Sequence, residues 1–447
     1  MSCTLDGTAV LPAGFCVTEL PVSVDQARSL VVHEGSILVV ERGTSSVLRI
    51  DPEAFSVERL VQVTSESLTH SLVVQNGFLY ASSATKVYRW SLDNPGVAPT
   101  VIVDNMSADG RGGAPFGHQS RTLLIRDGFL YIAIGSVGNV DPDSFRSRIR
   151  RFALNATTPQ NFVDGFVYAD GVRNEVGLAL DRHGVLWGVE NSADRLTRDD
   201  LGGFITDDNP AEELNRFDEP GAHYGYPYCW TEFRLDESLG LGLGTVWTWP
   251  SFMDTVSDEQ CRSDYRAPAL SMQAHSAPLG ITFYEYNAER PSSCPAGSGF
   301  PESMDGYAFI AFHGSWNRQE PTGYKVVYVP MDEVGEVAAE QPIDLLAHVP
   351  PNAKWESGLR PVDVAFDECG RLYVSSDGTR TSNGYIGSTI LRIDYLEETT
   401  AGTPVPTPVP SAAAPFPVNP TSVVSSSATC LSTVFSLISA FLMYNHL

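Results

Sequence analysis

Basic residues are scarce in this chain: its 447 residues hold 29 Lys and Arg against 54 Asp and Glu, a formal net charge of −25. Binding DNA or RNA begins with neutralising phosphates, so this balance excludes a nucleic-acid partner and fits a solvated acidic surface. No interior stretch approaches the roughly 20 apolar residues of a membrane span, so the body of the chain is expected to be soluble. Met1 to Leu20 lacks a basic segment followed by an apolar one, so a secretory signal is either missing or lost with a truncated start. Histidine is sparse as well, with nine in all.

Seven cysteines are present, an odd number, at positions 3, 16, 229, 261, 294, 369 and 430. The last lies in a tail with its own character. A Pro/Thr/Ser-rich stalk spans 399–429, and an apolar tail spans 430–447. Small residues, a polar spacer and a short apolar end are the elements of a GPI-attachment signal, whose tail is replaced by lipid. Its removal leaves six cysteines, which suits three disulfides in an oxidising compartment, and Cys229 with Cys261 is expected to staple one insertion. Sequons at Asn105 and Asn155 fit the same extracellular or cell-surface setting, with a lipid anchor as the chain's one tie to a membrane.

Residues 1–398 are built on a repeat. Six times a short apolar strand, a Gly-containing turn and a second apolar strand recur, around Glu34-Gly35, Asn76-Gly77, Asp127-Gly128, His183-Gly184, Asp305-Gly306 and Cys369-Gly370. In most copies a third strand follows with a basic residue, as in Val47-Leu48-Arg49-Ile50 and Ile390-Leu391-Arg392-Ile393. Several strands per copy and six copies predict an all-β fold, a six-bladed β-propeller of four-stranded antiparallel blades. The wide gap between Gly184 and Gly306 holds an irregular Trp-, Pro- and Gly-rich insertion, Leu201 to Arg290, where an extra blade could hide.

Consecutive strands in a blade are antiparallel, so the residues just before the first strand and just after the second share one end of every hairpin. That end gathers His70, His118, Arg173, Asn174, His275 and Arg360 with Arg42, Ser136, Asn191, Ser192, His313, Trp316, Arg318 and Asp377. Propeller entrances hold polar residues in any case, because strand ends need hydrogen-bond partners. Four arginines around one mouth of an acidic chain are less ordinary. They predict an anionic ligand bearing carboxylates or phosphates.

In order along the chain stand Gly117-His118-Gln119-Ser120, Arg173-Asn174, Glu190-Asn191, His223-Tyr224-Gly225-Tyr226-Pro227, Phe312-His313-Gly314-Ser315-Trp316-Asn317-Arg318 and Arg360-Pro361-Val362-Asp363-Val364. With these the chain, from about Leu11 to Tyr395, resembles the quinoprotein sugar dehydrogenases, within them the L-sorbosone and fungal pyranose dehydrogenase branch. The resemblance implies a six-bladed propeller binding pyrroloquinoline quinone (PQQ), a tricarboxylate, and Ca²⁺ at the channel mouth. It implies an oxidoreductase acting on an aldose or ketoaldose at C1, with hydride passing to the quinone and electrons going on to an external acceptor such as a cytochrome, quinone or dye. His118 would be the general base, a role an imidazole titrating near neutrality can fill. Arg173, Asn174, Asn191 and Arg360 would hold PQQ, with Arg318 and Arg42 as further partners of its carboxylates. Backbone carbonyls of Ser192 and Ala193 would bind Ca²⁺. His70, His275 and Trp316 would stand near the sugar.

The chain departs from the soluble bacterial glucose dehydrogenases of this family at Ser136, where they place an Asp behind the catalytic His, and their PQQ-binding Lys has no clear match. No C-x-x-C-H motif occurs, so a cytochrome partner would be a separate chain. Two other readings stand beside the enzyme: a non-catalytic, surface-anchored binding propeller, and a Ca²⁺-dependent lactonase. A cationic mouth with His118, Arg173-Asn174 and Arg360 intact favours the dehydrogenase.

Overall fold

Each of the six strand pairs read from the sequence is an antiparallel hairpin in the computed structural model, which describes residues 3, 5, 7–107, 118–142, 145–295 and 297–396. Gly117, Cys430, the stalk and the tail lie outside the described residues. In the first three hairpins the turn is two residues long. His33 faces Ser36, Gln75 faces Phe78 and Arg126 faces Phe129. The turn residues Glu34, Asn76 and Asp127 sit at φ 48°, 49° and 53°, each followed by a glycine at 72–77°. Two successive positive φ values match the right-handed twist of the flanking strands, which is why each turn ends in glycine and two of the three are Asn-Gly and Asp-Gly.

The first blade is Ala27–His33, Ser36–Glu41, Ser46–Ile50 and Val57–Gln62. The second is Leu68–Gln75, Phe78–Ser83, Val87–Ser91 and Thr100–Asp104; the third is Arg121–Arg126, Phe129–Ile134, Arg148–Ala153 and Phe166–Asp170. The fourth is Glu175–Leu180, Leu186–Glu190, Glu212–Phe217 and Leu270–Met272; the fifth is Pro278–Phe283, Ala308–Phe312, Lys325–Val329 and Ile343–His348. Blade six is Pro361–Phe366, Leu372–Thr381 and Gly384–Tyr395, completed by Phe15–Glu19 from the other end of the chain. That pairing closes the ring. Two-residue strands extend the outer edges of blades two, three and five.

The strands are apolar on both faces because both faces are buried. In the second strand of blade one, Ile37 and Val39 pack into the gap toward blade six, while Leu38 and Val40 pack toward blade two. One apolar cluster fills each of the six gaps between neighbouring blades. This accounts for near-continuous Val/Ile/Leu runs in an antiparallel fold, where one-sided burial would have produced strict alternation. The first strands of all six blades line an axial cavity of about 340 Å³.

Residues between Asn191 and Leu270 form no extra blade among the described residues. They supply the third strand of blade four and a ribbon of Cys229–Thr231 with Val246–Thr248. A short helix, Asp258–Asp264, follows, capped by Ser257 and Gln260 in a reciprocal box. Trp230, Trp247 and Trp249 close a small core of their own over Leu196 and Leu201. Cys229 is bonded to Cys261 as expected, and Cys3–Cys16 and Cys294–Cys369 complete three disulfides.

Candidate active site

Backbone hydrogen bonds gather the hairpin ends into one mouth. The His118 N–H donates to the Ser136 carbonyl, Ser136 to Arg173, Asn191 to Asn174, and His313 to Ala277. Each bond but one ties the segment before a blade's first strand to the segment after its second. The exception, from Ser136 to Arg173, stitches blade three to blade four.

On the side of blades three and four, His118 is buried, and its Nδ1 lies 2.9 Å from the Ser136 carbonyl oxygen. A carbonyl can only accept, so Nδ1 carries the proton and Nε2 is left as the basic nitrogen. Burial, and after it the Arg173 charge, push this imidazole down to about 3. Arg173 is buried too. Its Nη1 donates to the carbonyls of Asn191 at 2.9 Å and Ser192 at 2.6 Å, and its Nη2 lies 3.4 Å from an Asp194 carboxylate oxygen. Asn174 donates to the Asn191 side chain at 3.3 Å, Asn191 donates to the Pro278 carbonyl at 2.7 Å, and the buried Asn174 Oδ1 has no partner. Ala193 is buried in the tryptophan-lined core beside the mouth.

Asp194 organises a second layer. It accepts from Asn317 at 2.7 Å and lies 3.5 Å from His275 Nδ1, while His275 Nε2 lies 2.5 Å from the Thr206 carbonyl. With acceptors at both ring nitrogens, His275 favours the imidazolium. Burial works against this, but Asp194 and Glu212 outweigh it and raise its pKa. Burial likewise opposes ionisation of Asp194, yet His275, Arg173 and Asn317 hold its carboxyl below the ordinary range.

Across the mouth, blades five, six and one supply a cavity of about 120 Å³ lined by Arg28, Arg42, Arg360, Arg380, His313, Asp377 and Tyr385, among others. Four guanidiniums face one carboxylate there. Asp377 accepts from His313 Nε2 through Oδ1 and from Arg28 Nη1 through Oδ2, both at 2.8 Å. Burial disfavours its charge, but His313 and Arg28 prevail and hold it well below the usual carboxylate range. His313 Nδ1 is buried without a partner. Burial and the Arg360 charge bring this imidazole down to about 4, against the pull of Asp377. Arg360 donates to the carbonyls of His313 at 3.2 Å and Gly314 at 2.8 Å, and burial lowers its pKa. Burial, then Arg28, does the same to Arg42.

Not every predicted residue reaches these two clusters. His70 sits in the neck beneath them, Nδ1 against Arg28 at 3.1 Å and Nε2 against the Val176 carbonyl at 3.3 Å, so both ring nitrogens are engaged. Arg318 is held at the rim by the Ala274 carbonyl and Asp208. Trp316 is exposed. Sequence reasoning missed Arg28, Asp194 and the pairing of His313 with Asp377.

The TrAA12-like family model matches residues 9–386. The chain is 29% identical over 355 residues to a pyrroloquinoline quinone-dependent sugar dehydrogenase of Hypocrea jecorina, covering 71% of this chain and 74% of that protein. It is 29% identical over 403 residues to a pyrroloquinoline quinone-dependent pyranose dehydrogenase of Coprinopsis cinerea, covering 81% of this chain and 52% of that protein, so the match spans about half of the longer relative. The iodide structure of the Trichoderma reesei carbohydrate-active enzyme of family AA12 superposes with a TM-score of 0.73 at 27% identity, over 87% of this chain and 98% of that one. The propeller, its cationic mouth and these likenesses agree: the chain belongs to the TrAA12-like family.

Proposed function

We propose that this protein is a PQQ-dependent sugar dehydrogenase oxidising an aldose or ketoaldose at C1. The observation that carries the reading is the excess of guanidinium over carboxylate in the mouth, Arg28, Arg42 and Arg360 against Asp377, with the exposed Arg380 at its edge. Such an excess is costly to bury without an anionic ligand, and a tricarboxylate supplies the missing charge. The unpartnered Asn174 Oδ1 and His313 Nδ1 are acceptors, which suit the hydroxyls of a sugar rather than the carboxylates of the cofactor. The relatives' names point the same way.

Arg360 and Arg42 would hold carboxylates on one side, with Arg173 and Asn174 closing the other. The quinone, when bound, supplies the electron sink. His118 takes the proton of the anomeric hydroxyl on Nε2, while the Ser136 carbonyl fixes the ring's tautomer through Nδ1. A pKa near 3 is too low for a base at neutral pH. Its second cause is the Arg173 charge, which a bound carboxylate would offset, so the base strengthens when the cofactor is in place. For Ca²⁺, the Ser192 carbonyl is the right kind of donor but is bonded to Arg173, so a cation there requires that guanidinium to swing toward the cofactor. We read the chain's setting as extracellular on the strength of three disulfides and the exposed sequon residues Asn105 and Asn155; the proposed lipid anchor rests on the composition of 399–447 alone, and the external electron acceptor on the dehydrogenase reading.

The test is direct. PQQ and Ca²⁺ are added to the purified chain, and a bound-quinone spectrum with sugar-dependent dye reduction is expected. No spectral binding at micromolar PQQ overturns the reading.

A further inference from the structure

Every N–H of the Arg173 side chain is already engaged. Nε donates to the Asn139 carbonyl at 3.2 Å, and Nη1 donates to the carbonyls of Asn191 at 2.9 Å and Ser192 at 2.6 Å. Nη2 donates to the Asn139 side-chain oxygen at 3.2 Å and to an Asp194 carboxylate oxygen at 3.4 Å. A guanidinium has five such donors, so none is left over for a carboxylate of the cofactor.

All five acceptors are oxygens: three backbone carbonyls, one amide oxygen and one carboxylate. Four of them converge on the two terminal nitrogens. That donor set is the kind a hard divalent cation takes, with waters or a ligand completing the shell. Its shape does not depend on Arg173. Asn139 and Asp194 are tied in both directions, the Asp194 N–H donating to Asn139 Oδ1 at 2.7 Å and Asn139 Nδ2 donating to the Asp194 carbonyl at 2.6 Å. The Asn191 side chain donates to the Pro278 carbonyl, the Ser192 N–H donates to Glu212 at 2.8 Å, and Asn317 holds the Asp194 carboxylate. The oxygens therefore stay in place when the guanidinium leaves.

We propose that Arg173 is the built-in occupant of the protein's cation site: in the cofactor-free protein its guanidinium fills an oxygen cage made by Asn139, Asn191, Ser192 and Asp194, and Ca²⁺ exchanges with it when PQQ binds. The cofactor's part in this rests on the dehydrogenase reading above; the cage itself adds Asn139 and Asp194 to the cation's ligands. The exchange explains how a residue whose donors are all engaged can still serve the cofactor. Ca²⁺ takes the cage, and the freed guanidinium meets a PQQ carboxylate. Ca²⁺ alone would displace a buried guanidinium with nothing to receive it, which is costly, so ion and cofactor bind together.

The experiment needs no turnover. The full chain, stripped of metal and without PQQ, is titrated with calcium chloride in a calorimeter, and wild type should bind weakly. Arg173→Ala opens the cage. A guanidinium that vacates the cage about 1% of the time weakens apparent affinity by about a hundredfold, so the variant should bind Ca²⁺ more tightly by roughly that factor. Its melting temperature should rise with Ca²⁺ alone. Adding Asp194→Asn should reverse most of the gain, because it removes the cage's one charged ligand. If Arg173→Ala does not fold, Arg173→Gln takes its place, keeping a donor for the carbonyls but not the charge. Crystals of wild type loaded with PQQ and Ca²⁺ supply a measurement free of any variant: the anomalous signal of calcium should fall among these oxygens, with the guanidinium outside them. Ca²⁺ bound no more tightly by the Arg173 variants than by wild type, a gain that survives Asp194→Asn, or a guanidinium still in the cage of the loaded protein overturns the proposal. If wild type takes up PQQ while the variants gain no Ca²⁺, only the cage falls; if the variants gain Ca²⁺ while wild type takes up no PQQ, the dehydrogenase reading falls and the cage stands.

Discussion

Gly135 lies so close beneath Asn174 that a β-carbon on it would stand 2.4 Å from the Asn174 Oδ1, and 2.8 Å from the β-carbon of His118. The end of blade three's second strand is bare so that the proposed base and a proposed cofactor ligand can close over it. Gly135→Ala should therefore displace both side chains at once. Overpacking of this kind costs about 1–3 kcal/mol, and here it falls on the site. Weaker PQQ binding, by roughly tenfold or more in a spectral titration, is expected with a much smaller change in melting temperature. Unchanged affinity would mean that neither neighbour contributes to cofactor binding.

His118→Ala removes the one imidazole held by the Ser136 carbonyl and leaves the arginines in place. Turnover should fall by roughly 10²–10⁴, the range that a positioned base contributes, while the bound-cofactor spectrum persists. Steady-state dye reduction beside a PQQ titration separates the two effects. A variant with wild-type kcat would remove His118 from the mechanism.

Arg360→Gln tests the charge argument from the other side of the mouth. Arg360 spends two donors on the His313 and Gly314 carbonyls, leaving its remaining N–H groups for a ligand. Loss of one guanidinium–carboxylate pair should raise the PQQ dissociation constant by roughly tenfold to a hundredfold, read by the same titration. Equal affinity would show that the arginine excess does not serve a carboxylate.

Which parts of this were legible in the sequence follows from geometry. Turns such as Asn76-Gly77 announce themselves because positive φ selects their residues, and the mouth follows because antiparallel strands alternate direction. Arg28 was hidden inside an apolar strand. It sits where the register slips between Ala27 and Leu30, and a bulge re-aims a side chain without leaving a mark in composition. His313 and Asp377 were both placed at the mouth, but their pairing joins adjacent blades across 64 positions, and nothing local encodes it. Asp194 was passed over because it stands four residues beyond the end of blade four's second strand, past the hairpin-end positions that the repeat picks out.

Calcium should act only together with the cofactor. Among the described residues no group of three His, Cys, Asp or Glu is arranged to hold a metal, and the Ser192 carbonyl is satisfied by Arg173. Differential scanning of the cofactor-free chain with and without Ca²⁺ should give the same melting temperature, whereas Ca²⁺ with PQQ should raise it by mass action. A large rise with Ca²⁺ alone would reveal a site outside this arrangement.

Blade four carries three glutamates in one row behind the mouth: Glu175 faces Glu190, and Glu190 faces Glu213. All are buried, and like charges directly opposite repel. Burial above all raises Glu213, to about 7 from an ordinary value of 4.5, while Thr231 and Asn215 pull it down. Burial with the Glu213 charge raises Glu175 and Glu190 as well. For an acid whose pKa is higher when folded, the folded state binds the proton more tightly. The contribution to stability is therefore complete below pH 4.5 and is lost as pH rises through about 7. His118 and His313 titrate in the other sense, since their lowered pKa values, about 3 and about 4, cost stability as pH falls below 6.5. The two effects separate by substitution. Glu213→Gln keeps an acceptor for the Thr231 hydroxyl but removes the ionisation, so its melting temperature should decline less than that of wild type between about pH 5.5 and pH 8. Parallel curves for the two proteins would show that the row stays neutral across that window.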